Sequence, residues 1–281
     1  MSKKPRVPRP PADASQSAIP SDWVAQIYGS TPRIYQERLL AYVDLLGWKE
    51  LVGNPNDQVA FDSALLVNAA FQAAASIEGT RKQQFTEAGI AIGATIRCTH
   101  FSDTIVFSCE VNGDEGAWLA FAVQLVCRHL LEQGQYTRGA VVKGGLIHDE
   151  NKIFGPALVE AHLIEKDVAK YPRIIVTEEA APFLRRIRFH ERHGLGPLQS
   201  VTDLGDGLTH LDLFPRSQEK DELSASDRVA AKKARQRGEA DLARNARETN
   251  TVKRLGLKAK YEWLLRYIDD VLRRRSARPA S

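Results

Sequence analysis

The segment 39–51, with the sequence LLAYVDLLGWKEL, constrains the fold of this chain more than any other. Its first half is an apolar run that ends on one carboxylate, Asp44, and Gly47 then precedes a helix-like stretch from Trp48. A strand that carries an Asp to its end and turns into a helix offers a metal ligand beside backbone amides that favour phosphate. An isolated Asp at a strand end is more often a turn or N-cap residue. A metal site therefore needs a second carboxylate.

Asp103 is the second carboxylate that the sequence offers. Residues 89–107 predict a β-hairpin with the arms GIAIGATIRCTHF and DTIVFSCE, joined at His100–Asp103. If this hairpin lies beside the strand that ends at Asp44, the two carboxylates meet at one edge of a sheet. Hard oxygen ligands close to bound phosphate suit Mg²⁺ or Mn²⁺, two per site.

The order of the remaining elements predicts an α+β fold with a ferredoxin-like sheet. Strand, helix, hairpin, helix and strand follow one another as in a βαββαβ unit, for which we expect helices on one face of an antiparallel-rich sheet. The predicted strands are 35–44, 138–147 and 173–177, and the predicted helices are 59–77, 117–132, 157–169 and 178–187.

The composition fits one large globular domain with extensions. The chain has 281 residues, of which 43% are hydrophobic, and a net charge of +4. The predicted organisation is a disordered arm over 1–20, rich in Pro, Ala and Ser, a catalytic domain over 21–215 and a charged helical extension over 216–281. We expect 217–248 to be a solvated helix or partly disordered, outside the core. Residues 255–272 predict an amphipathic helix that packs on the core or on a partner.

Cysteine content, hydropathy and charge indicate the compartment and the partners of the protein. Three cysteines without metal-type spacing indicate reduced thiols in a cytoplasmic protein. No apolar run approaches the ~20 residues that cross a bilayer, so we expect no membrane segment. The basic stretch 228–254 mixes both signs of charge without interleaved aromatics, which argues against a nucleic-acid partner.

Four blocks resemble, in order, the motifs of the class III nucleotidyl cyclases. They are AYVDLLGWKEL, HFSD at 100–103, RGAVVKGG at 138–145 and GPALVEAHLIE at 155–165. The resemblance implies a class III nucleotidyl cyclase core that converts a nucleoside triphosphate into a cyclic nucleotide and pyrophosphate. It also implies a head-to-tail homodimer with each active site between two chains.

The same resemblance assigns the metal half of the site. Asp44, Asp103 and the Leu45 carbonyl would hold two divalent cations, Mg²⁺ or Mn²⁺, and the amides of Gly47 and Trp48 would bind phosphate. The side chain of Trp48 has an equally plain interpretation as a core residue.

The purine half of the family site is replaced. Thr99 stands where purine cyclases have a base-reading Lys, and Lys152 stands where they have a purine-reading Asp. Val159 stands in the place of their ribose-orienting Asn, and Leu163 in the place of their phosphate-binding Arg. This combination is similar to the pyrimidine cyclases of bacterial anti-phage (Pycsar) signalling, as is a closing K-Y-x-W-L helix at 260–264. UTP is the implied substrate and cyclic UMP the product, with CTP and cyclic CMP as the alternative.

Another cation must then act on the transferring phosphate, where charge builds in the transition state. The candidates are Arg97, Lys143 and Lys152, each of which has a plain alternative as a surface or structural charge. Thr99 and His100, with Lys152, are candidates for reading the base, although His100 also suits a turn.

Two further charged residues are interpreted as structural. Arg138 is expected to form an interface or structural ion pair, and Glu165 to pair with a cation across an interface. Two other functions stay open, namely a purine cyclase with an unusual base pocket and a cyclase-fold nucleotide-binding protein without chemistry.

Overall fold

The computed structural model describes residues 35–53, 58, 96–111, 115–149, 152–184, 198–203, 205–217 and 222–276. All of them belong to the compact unit Tyr35–Ser281. The predicted arm 1–20 and the predicted helix 59–77 lie outside the described residues. In the part of the chain described, no helix combines the length and the apolar character needed to cross a membrane.

Strands and helices alternate along most of the described chain. The strands are β1 (Gln36–Leu45), β2 (Arg97–Phe101), β3 (Thr104–Glu110), β4 (Thr137–Asp149), β5 (Lys152–Phe154), β6 (Ile174–Val176), β7 (Leu198–Asp203), β8 (Thr209–Ser217), β9 (Glu222–Leu223) and β10 (Arg275–Ser276). The helices are α1 (Trp48–Val52), α2 (Glu115–Glu132), α3 (Pro156–Asp167), α4 (Ala181–Leu184), α5 (Ala225–Asn245) and α6 (Thr251–Arg273).

The strand order confirms the predicted ferredoxin-like core. The main sheet runs β2-β3-β1-β4-β6-β8-β7, and β5 pairs with β4 outside this path. β1 is antiparallel to both β3 and β4, and β2 and β3 form the predicted hairpin. These four strands have the order and directions of a βαββαβ sheet. β4 and β6 then pair in parallel and extend the sheet on its other side.

Helices cover both faces of the sheet, so the expectation of helices on one face is wrong. Residues 39–43 of β1 form an unbroken apolar run, and a central strand of this kind is buried on both sides. Its alternate residues separate into two clusters: Leu39, Ala41, Val43 and Leu45 face the main core with α2, whereas Leu40 and Tyr42 face Ala157 and Ala161 of α3. The side of the sheet covered by α3 is called the α3 face below.

α5 belongs to the core, and the expectation that 217–248 lies outside it is also wrong. Three alanines of this helix, Ala230, Ala231 and Ala234, are buried in the main cluster. A Cβ added at Gly238 would lie 3.2 Å from a methyl carbon of Leu265, so α5 and α6 approach each other closely there. Small residues allow this approach, and Arg235 of α5 also lies 2.7 Å from Asp269 of α6.

α6 docks on the sheet through a stack of aromatic rings. Trp263 is stacked between Tyr171 and Tyr267, with ring centroids 5.8 Å apart in both pairs. Both Trp263 and Tyr267 are buried in the main core. The predicted amphipathic helix is therefore confirmed, and it packs on the core of its own chain.

A buried ion pair fixes the C-terminal end of α6. Arg274 Nη2 lies 2.9 Å from Asp212 Oδ2, and Arg274 Nη1 donates to the Phe214 carbonyl at 2.5 Å. Tyr267 Oη donates to the other carboxylate oxygen of Asp212 at 2.7 Å. Asp212 is fully buried and Arg274 is 5% exposed. The charge of each residue is therefore compensated chiefly by the other.

We expect Arg274→Met to lower the free energy of unfolding by about 3–5 kcal/mol, because it leaves the Asp212 carboxylate buried without its cation. Urea denaturation followed by circular dichroism measures the loss. Arg273→Met is the matched control, since the Arg273 side chain is 74% exposed and its ion pair with Asp270 lies at the surface. Equal, small losses in both variants would contradict a stabilising role for the buried pair.

Candidate functional site

Asp44 and Asp103 lie at the same edge of the sheet. Asp44 is opposite Thr104 in the β1–β3 register, directly after the turn that carries Asp103. The Leu45 N–H donates to the Asp103 carbonyl at 2.9 Å, which ties the end of β1 to this turn. The charge of Asp103 contributes to raising the pKa of Asp44, so the two carboxylates interact electrostatically. The chain thus brings together two acidic residues that are distant in sequence.

Arg138 and Glu165 complete an acidic cluster around Asp44. Arg138 faces Asp44 across the β1–β4 pairing and donates from Nε to Asp44 Oδ2 at 3.3 Å. Its Nη2 lies 2.5 Å from Oε1 of Glu165. The ion-pair interpretation of Arg138 is confirmed, but Glu165 pairs within its own chain and not across an interface.

Sequence spacing contained a signal for Glu165. Ala157, Ala161 and Glu165 follow one another at intervals of four, which places them on one face of α3. Since both alanines are buried against β1, Glu165 is buried as well, at 3% exposure.

The cluster carries more negative than positive charge. Burial raises the pKa of Asp44 to about 6, with a further increase from Glu165 and a smaller one from Asp103, while Arg138 opposes them. The pKa of Glu165 is raised chiefly by burial, again against the effect of Arg138. The Arg138 guanidinium contacts two of these three carboxyl groups, Asp44 and Glu165, and carboxylate oxygens are ligands that suit a hard divalent cation.

The described residues contain no group of three or more His, Cys, Asp or Glu side chains already arranged to hold a metal ion. Arg138 lies 2.5 Å from Glu165 but 3.3 Å from Asp44, so Asp44 and Asp103 are the carboxylates that are less tightly engaged and more open to a cation. A third ligand would have to come from the backbone. The residues present fit a metal site of this kind, with two side-chain ligands.

Leu45, Gly47 and Trp48 follow Asp44 at the edge of the sheet. The Leu45 side chain is buried in the main core, so only its backbone is available at the edge. Gly47 is exposed and has φ +82, a left-handed conformation that favours glycine. Trp48 begins α1 and packs against the main core, as in its plain interpretation.

Thr99 belongs to a polar network on the α3 face. Its hydroxyl lies 2.8 Å from His148 Nε2, and the Ser108 hydroxyl lies 2.8 Å from His148 Nδ1. Arg38 donates from Nε to the same Ser108 hydroxyl at 3.0 Å. His148 is therefore held through both ring nitrogens. His100 lies outside this network, at the exposed end of the hairpin.

The three candidate cations lie away from Asp44 of their own chain. Arg97 donates to the His148 carbonyl. In the sheet, Arg97 pairs with Ser108, and Ser108 pairs with Leu40 of β1. Leu40 is four residues, or ~13 Å, along the strand from Asp44. Lys143 belongs to the opposite face of the sheet: its Nζ is 3.0 Å from Glu37 and 5.5 Å from the Phe183 ring centroid.

Lys152 is exposed on β5, opposite Asp149 beyond the end of the β1–β4 pairing. Like Arg97, it could act at an Asp44 site only in a second copy of the chain.

Lys260 of α6 is a cation near the site that the sequence interpretation did not select. It is half-buried, and its charge interacts with those of Arg138, Asp44 and Glu50. The buried residues Leu264 and Ile268 follow it at intervals of four. Extending this buried face of α6 by one turn would have predicted that Lys260 points toward the sheet.

A prediction of pH dependence follows from His148, which is 5% exposed. Burial, and then the charges of Arg38 and Arg97, lower the pKa of His148 to about 4. Between pH 4 and the unfolded value near 6.5 the folded state binds fewer protons than the unfolded chain, so stability decreases as pH decreases through this range.

We expect His148→Gln to reduce this pH dependence by up to ~3 kcal/mol between pH 7 and pH 4. Urea denaturation at several pH values measures the difference from the wild type. His100→Gln is the control because the His100 ring is exposed. Identical pH profiles for the wild type and His148→Gln would contradict the buried neutral state of His148.

No protein-family model matches this chain, and no curated protein matches it. Among solved structures it is similar to the catalytic core of a rhodopsin-guanylyl cyclase with converted specificity in complex with ATPαS, with a TM-score of 0.39 and 10% identity over 63% of this chain and 94% of that one. It is also similar to a class III adenylyl cyclase-like ATP-binding protein from Pseudomonas aeruginosa, with a TM-score of 0.34 and 11% identity over 53% and 34% of the two chains. At these values the likeness assigns neither a family nor an activity to this chain.

Proposed function

We propose that this protein is a class III nucleotidyl cyclase that converts UTP into 3′,5′-cyclic UMP and pyrophosphate. The observation that carries the proposal is the position of Asp44 and Asp103 at one edge of a ferredoxin-like sheet. The four ordered motifs that resemble this family support it. CTP is the second candidate substrate, and a role in anti-phage signalling rests on the resemblance to the pyrimidine cyclases.

Asp44, Asp103 and the Leu45 carbonyl would hold two divalent cations. When bound, Mg²⁺ or Mn²⁺ supplies Lewis acidity that favours ionisation of the nucleotide 3′-hydroxyl and neutralises charge on the phosphates. Arg138 fixes the Asp44 carboxylate by its hydrogen bond and is itself held by Glu165. The exposed turn at Gly47 leaves its backbone open to a phosphate.

The reaction is an in-line displacement at the α-phosphorus. The 3′-oxygen forms a bond to this phosphorus, the bond to the bridging oxygen breaks, and pyrophosphate leaves with the electron pair. The 3′-hydroxyl proton passes to solvent. The residues of the chain act by positioning and by charge.

The base and the transferring phosphate would be contacted from a second copy of the chain. Arg97 and Thr99 lie on the α3 face, as Asp44 does, and Lys152 is exposed beyond them. Lys143 lies on the opposite face, so Arg97 is the better supported of the two proposed catalytic cations. His100, at the exposed hairpin end, stays a proposed base contact.

Exposed apolar side chains support a homodimer. Val159 and Leu163 on the outer side of α3 are 60% and 49% exposed, and Phe154 on β5 is 36% exposed. Val159 and Leu163 lie one helical turn apart, and exposed apolar side chains grouped in this way are typical of interaction sites. This surface flanks the α3 face, where the second copy would have to bind.

We expect cyclic UMP and pyrophosphate from UTP with Mn²⁺, and slower turnover of CTP, ATP and GTP. Liquid chromatography with mass spectrometry identifies the products. Asp44→Asn and Asp103→Asn should each lower turnover by more than ~100-fold, since even outer-shell partners of metal ligands contribute about 10–100-fold. No cyclic product from any nucleotide with the wild-type dimer would overturn the proposal.

Asp149→Asn is the matched control, because it removes an exposed carboxylate at the other end of β4. Mn²⁺ should raise the melting temperature of the wild type and of this control, but not of the Asp44 and Asp103 variants. Retention of wild-type turnover in either variant would show that the metal ligands lie elsewhere.

The double substitution Val159→Asp and Leu163→Asp should convert the dimer to a monomer and abolish turnover, with little effect on the fold of one chain because both side chains are exposed. Analytical ultracentrifugation measures the association state. Val252→Asp, at a residue that is 83% exposed on α6, should leave the dimer intact. A wild-type monomer with full turnover would exclude the interface.

A nucleotide-binding protein without chemistry is the second candidate function. Val159 and Leu163 favour it, because these exposed apolar residues stand where the resemblance expects the ribose-orienting Asn and the phosphate-binding Arg. Saturable UTP binding without product, in the presence of Mn²⁺, would distinguish this function from that of a cyclase.

A further inference from the structure

A pocket of about 960 Å³ lies between the turn after β1 and the hairpin formed by α5 and α6. Leu46 and Gly47 line it on the β1 side, and Gln135 and Tyr136 line it on the side of the connection from α2 to β4. The remaining wall comes mainly from the helical hairpin, outside the ferredoxin-like core. This volume lies in the range of pockets that hold small ligands.

The acidic residues that line the pocket are all paired. Asp241 lies 2.9 Å from Arg244 and accepts a hydrogen bond from the Tyr136 hydroxyl. Lys253 lies 3.6 Å from Glu50 and 3.7 Å from Glu248. These carboxylates are therefore largely neutralised by cations of the same wall.

Two lining cations remain without an ion-pair partner. In the described part of the chain, neither Arg247 nor Lys260 has a carboxylate within ion-pair distance, although both line the pocket. Lys260 is half-buried, so its ammonium group is partly removed from water without direct compensation. The pocket therefore has a surplus of positive charge and suits an anionic ligand.

The pocket opens beside the acidic cluster. Leu46 and Gly47 come two and three residues after Asp44, so the pocket begins within ~10 Å of that carboxylate along the backbone. Lys260 interacts electrostatically with both Asp44 and Arg138. A phosphate chain with one phosphorus at the acidic cluster can extend its other phosphates toward Lys260.

We propose that this pocket binds the polyphosphate chain of a nucleotide, with Lys260 and Arg247 as its cations. The choice of ligand rests on the proposed function. The bound phosphates are the β- and γ-phosphates of the substrate before the reaction and the pyrophosphate product after it. Lys260 and Arg247 belong to the C-terminal helical hairpin, which thereby contributes to the site within one chain. Neither residue is among the three cations that the sequence suggested.

The test measures binding of inorganic tripolyphosphate to the full chain by calorimetry, without metal and at constant ionic strength. Lys260→Gln should weaken binding about tenfold or more, because a charge-assisted hydrogen bond contributes about 1.5–3 kcal/mol. Arg247→Gln should weaken it less, since Arg247 is exposed. Lys260→Arg should restore most of the affinity.

Lys258→Gln is the matched control. It removes the same charge from the same helix, but the Lys258 side chain is 54% exposed and pairs with Glu262 away from the pocket lining. It should bind tripolyphosphate within about twofold of the wild type, since exposed ion pairs contribute little. Melting temperatures of all variants exclude loss of folding as the cause.

The outcomes separate this proposal from the proposed function. If Lys260→Gln binds tripolyphosphate as the wild type does, or if the wild type does not bind it, the pocket proposal is wrong even where Asp44-dependent cyclase activity is present. In another outcome the wild type binds tripolyphosphate but forms no cyclic nucleotide, and binding is lost in Lys260→Gln and kept in Lys258→Gln. The pocket proposal then holds and the cyclase proposal fails. In an active enzyme, Lys260→Gln should raise the KM for UTP about tenfold.

Discussion

The burial of β1 on both faces of the sheet is the constraint on which the rest of the structure depends. Its backbone pairs with β3 on one side and with β4 on the other, and its side chains enter separate clusters on the two faces. The approach of β4 is so close that a Cβ added at Gly139 would lie 1.9 Å from the Tyr42 carbonyl oxygen. Asp44 comes where the apolar run ends, so its position between Thr104 and Arg138 is fixed by the packing of the whole strand.

The acidic cluster at the end of β1 opposes the stability of the fold that positions it. Burial and Glu165 both disfavour ionisation of Asp44, and Arg138 compensates only part of this cost. A chain selected for stability alone would place an apolar or amide side chain there. Carboxyl groups with perturbed pKa values at a partly buried sheet edge are typical of a functional site.

Local patterns predicted much of the core, because each of its main elements has a recognisable sequence of its own. The apolar run before Asp44, the hairpin that ends at Asp103 and the β-branched strand after Arg138 each contain their own periodicity. Glu165 and Lys260 were not selected, because their role depends on which helix face meets the sheet. α5 was misassigned for a related reason: its high average charge concealed a stripe of alanines that is buried in the main core.

The helix α6 runs from a buried ion pair at its C-terminal end to the neighbourhood of the acidic cluster. Arg274 and Asp212 fix one end of it, and the stacked rings of Trp263 and Tyr267 hold its middle against the sheet. Lys260 lies one turn further toward the N-terminus, ~21 Å from Arg274 along the helix axis. These contacts fix the helix on the sheet and with it the backbone of Lys260. The extension therefore stabilises the fold and shapes the edge of the site through the same contacts.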